Sequence, residues 1–191
     1  MQFINNYNIL DKFISWLRHY ELFKNQSIVG KKIIDFGCGS NFKDIFKKYR
    51  KASKVILIDI YGKNFSKDNL TYINYNNNFN NIYKKLKNTK FDFIFLLAVV
   101  EHMDYPEAVL KKLKKFLSKD GKFIITAPSI YSKPVLEFLA FKIGIINKDL
   151  VEEHKRYYNL KQHINLAKKS KCNLLKFKYF MLGMNTLAIL K

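Results

Sequence analysis

Polar and apolar positions change period repeatedly along the chain, and the changes predict helices alternating with strands. Asn8–Phe23 sets Ile9, Leu10, Phe13, Ile14, Leu17 and Tyr20 at helical spacing with polar residues between them. Lys31–Phe36 is a short apolar run that stops at Gly37-Cys38-Gly39, a strand and then a tight turn. Asn41–Tyr49 reads as a helix with Phe42, Ile45 and Phe46 on one side. Lys54–Ile60 does not alternate, so it predicts a strand buried on both faces. Leu70–Tyr75 is a weaker third strand, Asn76–Asn81 an asparagine-rich loop and Ile82–Lys87 a short helix. Phe91–Val99 is a fourth strand and the most apolar segment. Pro106–Leu117 is a helix with proline in its first turn, and Asp120-Gly121 turns into a fifth strand, Lys122–Ala127. Lys133–Ile145 is an apolar helix or lid, Leu160–Lys169 another helix, and Leu174–Phe180 and Thr186–Leu190 a final pair of strands joined at Gly183.

Strands and helices in this alternation predict an α/β, Rossmann-like, doubly wound sheet of seven strands, mostly parallel, with helices on both faces. The last two strands are too close in sequence for a helical crossover, so that pair is expected to be antiparallel. The 191 residues suit one domain, 1–191, with residues 1–30 as a helical cap and 128–159 as a cover for a substrate. Linkers and repeats are absent from the pattern.

Composition removes several classes. Apolar residues make up 48% of the chain, too many for a globally disordered one. No apolar run reaches the length of a membrane span, and the N-terminus lacks the basic and small-residue features of a signal peptide. Cys38 and Cys172 are too few for a disulfide scaffold or a zinc cluster, which fits a reducing cytoplasm. The net charge of +20 suggests a nucleic acid or an anionic membrane surface as partner. Against this, the cations are nearly all lysine, with Arg18, Arg50 and Arg156 the only arginines, and they are spread over many segments. Dedicated phosphate readers lean on the arginine fork, so solvated faces are the favoured explanation.

In an open parallel sheet, ligands bind beyond the carboxyl ends of the strands. After the first strand comes Asp35-Phe36-Gly37-Cys38-Gly39-Ser40-Asn41, where two glycines let the main chain turn sharply and admit a ligand. After the second comes Asp59, placed to accept hydrogen bonds from ribose hydroxyls. Together they point to an adenosine-type cofactor. Phe42 stands where a nicotinamide dinucleotide site would have its third glycine, and there is no phosphate-cradling G-x-x-x-x-G-K-[ST] loop. Asp35 would repel phosphate and suit a cationic ligand. The plain alternatives are a glycine turn that merely joins strand to helix, Asp59 as a helix cap, and Cys38 as a small turn residue.

Asp35-x-Gly37-x-Gly39, the strand-end Asp59, FDFIFLLAVVEHM at Phe91–Met103, LSKDGK at Leu117–Lys122 and EHKRYY at Glu153–Tyr158 resemble the class I S-adenosylmethionine-dependent methyltransferases of the small-molecule branch, types 11 and 12. The resemblance runs from about Arg18 to Ile189. It implies that Gly37, Cys38 and Gly39 hold the turn against the methionine part of S-adenosylmethionine, with Asp35 near its cationic end. It implies further that Asp59 takes the ribose hydroxyls, Ile60 packs on adenine, Leu97 and Ala98 wall the methionine, and Arg18 pairs with the cofactor carboxylate. S-adenosylhomocysteine is then the product. Ser40 replaces the third glycine of the usual turn, and the usual acid after the third strand is replaced by Asn74, Asn76 or Asn77.

Methyl transfer to a hydroxyl or ammonium requires a proton acceptor, and His102 and His154 are the candidates. Their alternatives are structural: His102 capping the next helix or bracing the loop beside Glu101, and His154 closing a loop with Arg156 and Tyr157. His19 and His163 read as surface or helix-face residues. The position after the fourth strand is Leu97-Ala98-Val99-Val100, without the [DNS]-P-P-[FYW] clamp of nucleic-acid amino-methyltransferases. A small-molecule or carrier-linked acceptor is therefore expected, including a cell-surface glycan or lipid precursor, at the cytoplasmic side and in peripheral contact with an anionic membrane. An RNA or tRNA methyltransferase and a non-catalytic module binding S-adenosylmethionine are the alternatives. No metal is expected.

Overall fold

The structure, a computed structural model, describes residues 9–39, 47–145 and 148–191. Helix α1 (Ile9–Asn25) leads into β1 (Lys32–Phe36), β2 (Lys54–Asp59), β3 (Phe65–Lys67) and β4 (Leu70–Asn74). Then follow α2 (Phe79–Leu86), β5 (Phe91–Leu97), α3 (Pro106–Lys114) and β6 (Leu117–Pro128). After β6 come a 3-10 turn (Ile130–Ser132), α4 (Lys133–Glu137), a π-helical stretch (Phe138–Ile143) and α5 (Lys148–Glu152). The chain ends with α6 (Leu160–Lys169), β7 (Leu174–Phe180) and β8 (Asn185–Leu190). Of the helix expected over Asn41–Tyr49, residues 41–46 lie outside the described residues, as do Ser40 and Phe42; Lys47–Tyr49 are helical.

Eight strands form one sheet in the order β3-β4-β2-β1-β5-β6-β8-β7. The five from β4 to β6 are parallel, while β8 is antiparallel to both β6 and β7, as the short final connection requires. The chain moves outward from β1 to β2 and β4, then returns to place β5 on the other side of β1. A crevice at such a reversal of direction is where ligands enter doubly wound sheets.

The period of two along each strand decides what each face packs against. Ile34, Ile56, Ile58, Ile94 and Leu96 point to one side, where α2 supplies Ile82 and Leu86, α3 supplies Leu110 and Leu113, and α6 supplies Leu166 and Ala167. Ile33, Val55, Leu57, Phe93 and Phe95 point to the other, toward Leu22 of α1 and Tyr49. Both faces are covered, which explains why the central strands do not alternate in sequence. By the same parity Asp35 and Asp59 emerge on the side of α1.

Several expectations need correction. The sheet has eight strands rather than seven: β3 pairs antiparallel with β4 as a three-residue edge hairpin, too short to leave a pattern. β6 begins at Leu117, because its first turn pairs with Phe91 before a register shift. The single helix expected over Lys133–Ile145 is a succession of short helical types ended by Gly144 in the left-handed region. Among the described residues its core is a satellite cluster around Ala140 and Val151, with Leu136 and Leu139 against it, so little packing enforces one regular helix. On α1, Phe13 and Tyr20 of the expected apolar face are half-exposed and stack with Trp16, while Leu22 provides the fully buried contact. His163 is not at the surface but completely buried.

Candidate active site

The glycine turn is built by contact as much as by flexibility. Gly37 leaves β1 at φ 77°, and a Cβ there would lie 2.6 Å from both methyls of Val99 in the loop after β5. The loops at the carboxyl ends of β1 and β5 therefore touch through this bare position. Gly39 also has positive φ, but a Cβ there would meet none of the described residues within 4 Å. Cys38 between them is half-buried, and burial pushes its thiol well above the ordinary range.

Asp59 ends β2 beside this turn. Its Oδ2 accepts the Gly39 amide hydrogen at 2.7 Å, and its Oδ1 accepts those of Ile60 and Tyr61 at 2.7 and 3.2 Å. One buried carboxylate thus ties together the loops after β1 and β2. Asp35, buried one residue before the end of β1, accepts a hydrogen bond from the Tyr49 hydroxyl at 2.9 Å. Burial raises its carboxyl to about 7, although the Tyr49 bond works in the opposite direction. Tyr49 was not foreseen as a site residue. In the sequence it continues the helical spacing of Phe42, Ile45 and Phe46, which is the signal that could have found it.

The asparagines beyond β4 are largely committed to the loops themselves. Asn74 donates to the Gly62 carbonyl at 2.8 Å and accepts the Asn76 amide hydrogen at 2.9 Å. Asn76 and Asn77 hold left-handed backbone conformations. A surface groove of about 680 Å³ is lined by Gly62, Lys63, Asn64, Asn74, Asn76 and Asn81. Asn74 and Asn76 therefore border it and Asn77 does not.

After β5, half-buried Leu97 and Ala98 are followed by Val99 and Val100. Ala98 is left-handed at φ 58° and donates its amide to the Thr126 carbonyl at 2.9 Å, which swings the next residues over the end of the sheet. Val100 is fully buried in the core. Glu101 and His102 come next, and the late loop is stitched onto them. The Lys155 amide donates to the Glu101 carbonyl at 2.9 Å, the Arg156 guanidinium to the Asp104 carbonyl at 2.9 Å, and the Tyr158 hydroxyl to the Val100 carbonyl at 3.3 Å.

This stitching brings together two histidines that are far apart in sequence. The rings of His102 and His154 lie 5.0 Å apart between centroids, with Tyr157 edge-on to His154. His102 Nδ1 donates to the Glu153 carbonyl at 3.3 Å. In the neutral ring this leaves the Nε2 lone pair available. Burial lowers the affinity of both imidazoles for a proton, that of His154 to about 4, so both are neutral near pH 7. Beneath them Glu101 is 1% exposed, and burial raises its carboxyl to about 7. Arg18 reaches this end of the sheet from α1, where its positive charge acts on Glu101, His102 and His154. Glu101 was missed as a site residue; an acid in the loop after the most apolar strand was its signal.

The glycine turn and the buried carboxylate one strand over thus share one end of the sheet with the loop after β5, which carries His102 against His154 of the late loop. The family model described as a methyltransferase domain matches residues 10–175. The chain belongs to this methyltransferase family. Solved methyltransferases share its fold at low identity. The S-adenosylmethionine-dependent methyltransferase from Mesorhizobium loti is 14% identical, with a TM-score of 0.62 over 91% of this chain and 97% of that one. The enzyme from Anabaena variabilis is 16% identical, with a TM-score of 0.61 over 96% and 85%. CalO1, a methyltransferase in calicheamicin biosynthesis solved in its SAH-bound form, is 10% identical, with a TM-score of 0.62 over 94% of this chain and 54% of its own. No curated protein matches the sequence. The methyltransferase thus has the sheet of the S-adenosylmethionine-dependent enzymes, with the glycine turn at the switch point.

Proposed function

We propose that this methyltransferase uses S-adenosylmethionine to methylate a small-molecule or carrier-linked acceptor. The observation that carries this reading is the meeting of the glycine turn and the buried Asp59 carboxylate at the end of the sheet where Val99, in the loop that goes on to His102, packs against Gly37. The turn fits the cofactor: a Cβ on Gly39 would meet none of the described residues within 4 Å, and Asp59 retains acceptor capacity beyond its amide contacts. In this assignment Gly37, Cys38 and Gly39 hold the methionine portion by main chain, Asp35 lies near its cationic end, and Asp59 receives the ribose hydroxyls. Ile60 packs on adenine, Leu97 and Ala98 wall the methionine, and Arg18 pairs with the cofactor carboxylate.

Bound S-adenosylmethionine supplies a methyl group on a sulfonium, open to in-line displacement by the acceptor's nucleophile. The protein's work is to align the two and to receive the acceptor's proton, and alignment alone is worth several kcal/mol. His102 suits the second task, since Nδ1 is anchored on the Glu153 carbonyl and Nε2 carries a lone pair. His154 faces it at contact distance and is the second candidate.

An apolar or lipid-linked acceptor is supported by the segment that follows β6. Val135, Phe138, Phe141, Ile143 and Ile145 are all exposed along it, a cluster of apolar surface beside a basic body. Among the described residues no helix is long and apolar enough to cross a membrane, so contact with a lipid surface would be peripheral.

Calorimetric titration with S-adenosylmethionine and S-adenosylhomocysteine tests the cofactor. Incubation of methyl-labelled donor with lipid extracts and with RNA tests the acceptor. Label in the solvent-extractable fraction is expected. Label in nuclease-sensitive material would transfer the assignment to RNA, and binding of the cofactor without any transfer would leave a non-catalytic module.

A further inference from the structure

Glu101 occupies an unusual position for a carboxylate. It is 1% exposed, and neither of its oxygens has a hydrogen-bond partner among the described residues. A buried ionised carboxylate without a partner is strongly unfavourable, so a group of this kind either holds a proton or awaits a cation. The side chains around it are suited to the second case. One ligand atom from each of Glu101, His102 and His154 can be chosen so that all three lie within 4.8 Å of one another. We infer that Glu101, His102 and His154 form a binding site for one divalent transition-metal ion, with zinc or cobalt the best-matched chemistry.

Three features of the geometry support this. His102 Nδ1 donates to the Glu153 carbonyl and His154 Nδ1 contacts the Tyr157 hydroxyl at 3.4 Å. His102 is thus held by Nδ1 with its Nε2 lone pair available, and His154 has the same arrangement when its Nδ1 donates to the Tyr157 hydroxyl; this is how an imidazole ligates a metal. The ligand set is two imidazoles and one carboxylate, which selects borderline transition dications over magnesium or calcium. Three protein ligands also leave positions open, as catalytic sites do, and an oxygen of water or of the acceptor would fill them. Lastly, the loop after β5 and the late loop are joined by main-chain and ionic contacts, Lys155 to Asp104 among them, so the three ligands sit on one braced unit.

Arg18 is the competing counter-ion. Its charge acts on Glu101 and on both histidines. A metal at this site would therefore work against Arg18, which in the assignment above turns toward the cofactor carboxylate. The site's catalytic role rests on the methyltransferase reading; its existence does not. As a ligand, His102 gives to the metal the Nε2 lone pair that a base would use for a proton, so the two roles are alternatives.

The test is titration of chelator-treated, tag-free protein with Co2+, read by its visible ligand-field absorption, and with Zn2+ by calorimetry. One equivalent per chain is expected, with Mg2+ failing to compete. Glu101→Gln, His102→Ala and His154→Ala should each weaken binding by about tenfold or more, the scale set by losing even an outer-shell partner. His163→Gln should leave it unchanged. If Glu101→Gln fails to fold, His154→Ala, on a half-buried loop, carries the comparison. Absence of stoichiometric binding, or binding indifferent to these substitutions, overturns the site. S-adenosylhomocysteine binding measured on the same samples separates the two ideas: cofactor without metal refutes this inference alone, and metal without cofactor refutes the functional reading alone.

Discussion

Asp59 holds Gly39 across 20 residues of sequence, its Oδ2 accepting the glycine's amide hydrogen at 2.7 Å. The carboxylate that should grip the ribose is therefore also the brace of the glycine turn. Its removal acts twice, on the contact with the nucleoside and on the shape of the turn. Asp59→Ala should weaken S-adenosylmethionine and S-adenosylhomocysteine alike by about 1.5–3 kcal/mol, the range for hydrogen bonds to a charged group. Calorimetry on both ligands checks this, and equal affinity in the variant would remove Asp59 from the ribose.

Gly37 and Gly39 share a left-handed backbone but differ in surroundings, so alanine should affect them differently. At Gly37 the new methyl meets Val99 at 2.6 Å in addition to the backbone strain. A loss of about 2–4 kcal/mol in unfolding free energy is expected from the two effects together. At Gly39 an added Cβ would meet none of the described residues within 4 Å, so only the conformational part, about 1–2 kcal/mol, should appear. The Gly39 variant should instead lose cofactor affinity, because its methyl is added to the turn assigned to the methionine portion. Urea unfolding of both variants, and of Gly37→Ala with Val99→Ala, checks the assignment; the double change should recover the steric part only.

The core of this fold was legible because burial on both faces removes alternation from β1, β2 and β5, and because few other architectures need such strands between amphipathic helices. The glycine turn and Asp59 could be placed because strand ends are visible in sequence. Other features were not legible for physical reasons. β3 is held by three pairs to β4 and has no core of its own to impose a pattern. The segment from Ile130 to Ile143 packs on a satellite cluster too small to select one helical type. Glu101 depends on the docking of the late loop, Tyr49 on a contact with Asp35 of β1, and His163 on a partner in β8. Periodicity ranks a residue by its own element and cannot report such partners.

Asp35 and Tyr49 set a dependence of stability on pH. The folded-state carboxyl of Asp35 lies at about 7, above its ordinary 3.8, chiefly through burial. Between those values the native state holds a proton that the unfolded chain releases. Asp35 therefore contributes stability at low pH that is lost as pH rises through the window from about 4 to 7. Tyr49→Phe removes the bond that favours the charged form, so the loss should continue to higher pH. Asp35→Asn should abolish this component. Urea midpoints at about pH 5 and about pH 8 for the three proteins provide the comparison, and identical pH dependence in all would refute the coupling.

His163 acts with the opposite sign. Its Nε2 lies 2.9 Å from Thr186 Oγ1, whose own hydrogen is donated to the Ala127 carbonyl at 3.0 Å. Thr186 can then only accept, so His163 carries its hydrogen on Nε2, and Nδ1 keeps a lone pair with no partner among the described residues. Tyr158 and Phe177 pack on the ring, and burial lowers its proton affinity from 6.5 to about 4. Here the unfolded chain binds the proton that the native state refuses. Stability is complete above about 6.5 and falls as pH drops toward 4, by on the order of 3 kcal/mol from this residue. His163→Gln keeps a donor for Thr186 without a titrating nitrogen. It should cost some stability at neutral pH and flatten the acid limb of the unfolding curve relative to the parent. The other buried histidines, which titrate downward in the same direction, remain as the common background in both proteins. A parallel acid limb in parent and variant would mean that His163 accepts its proton without unfolding.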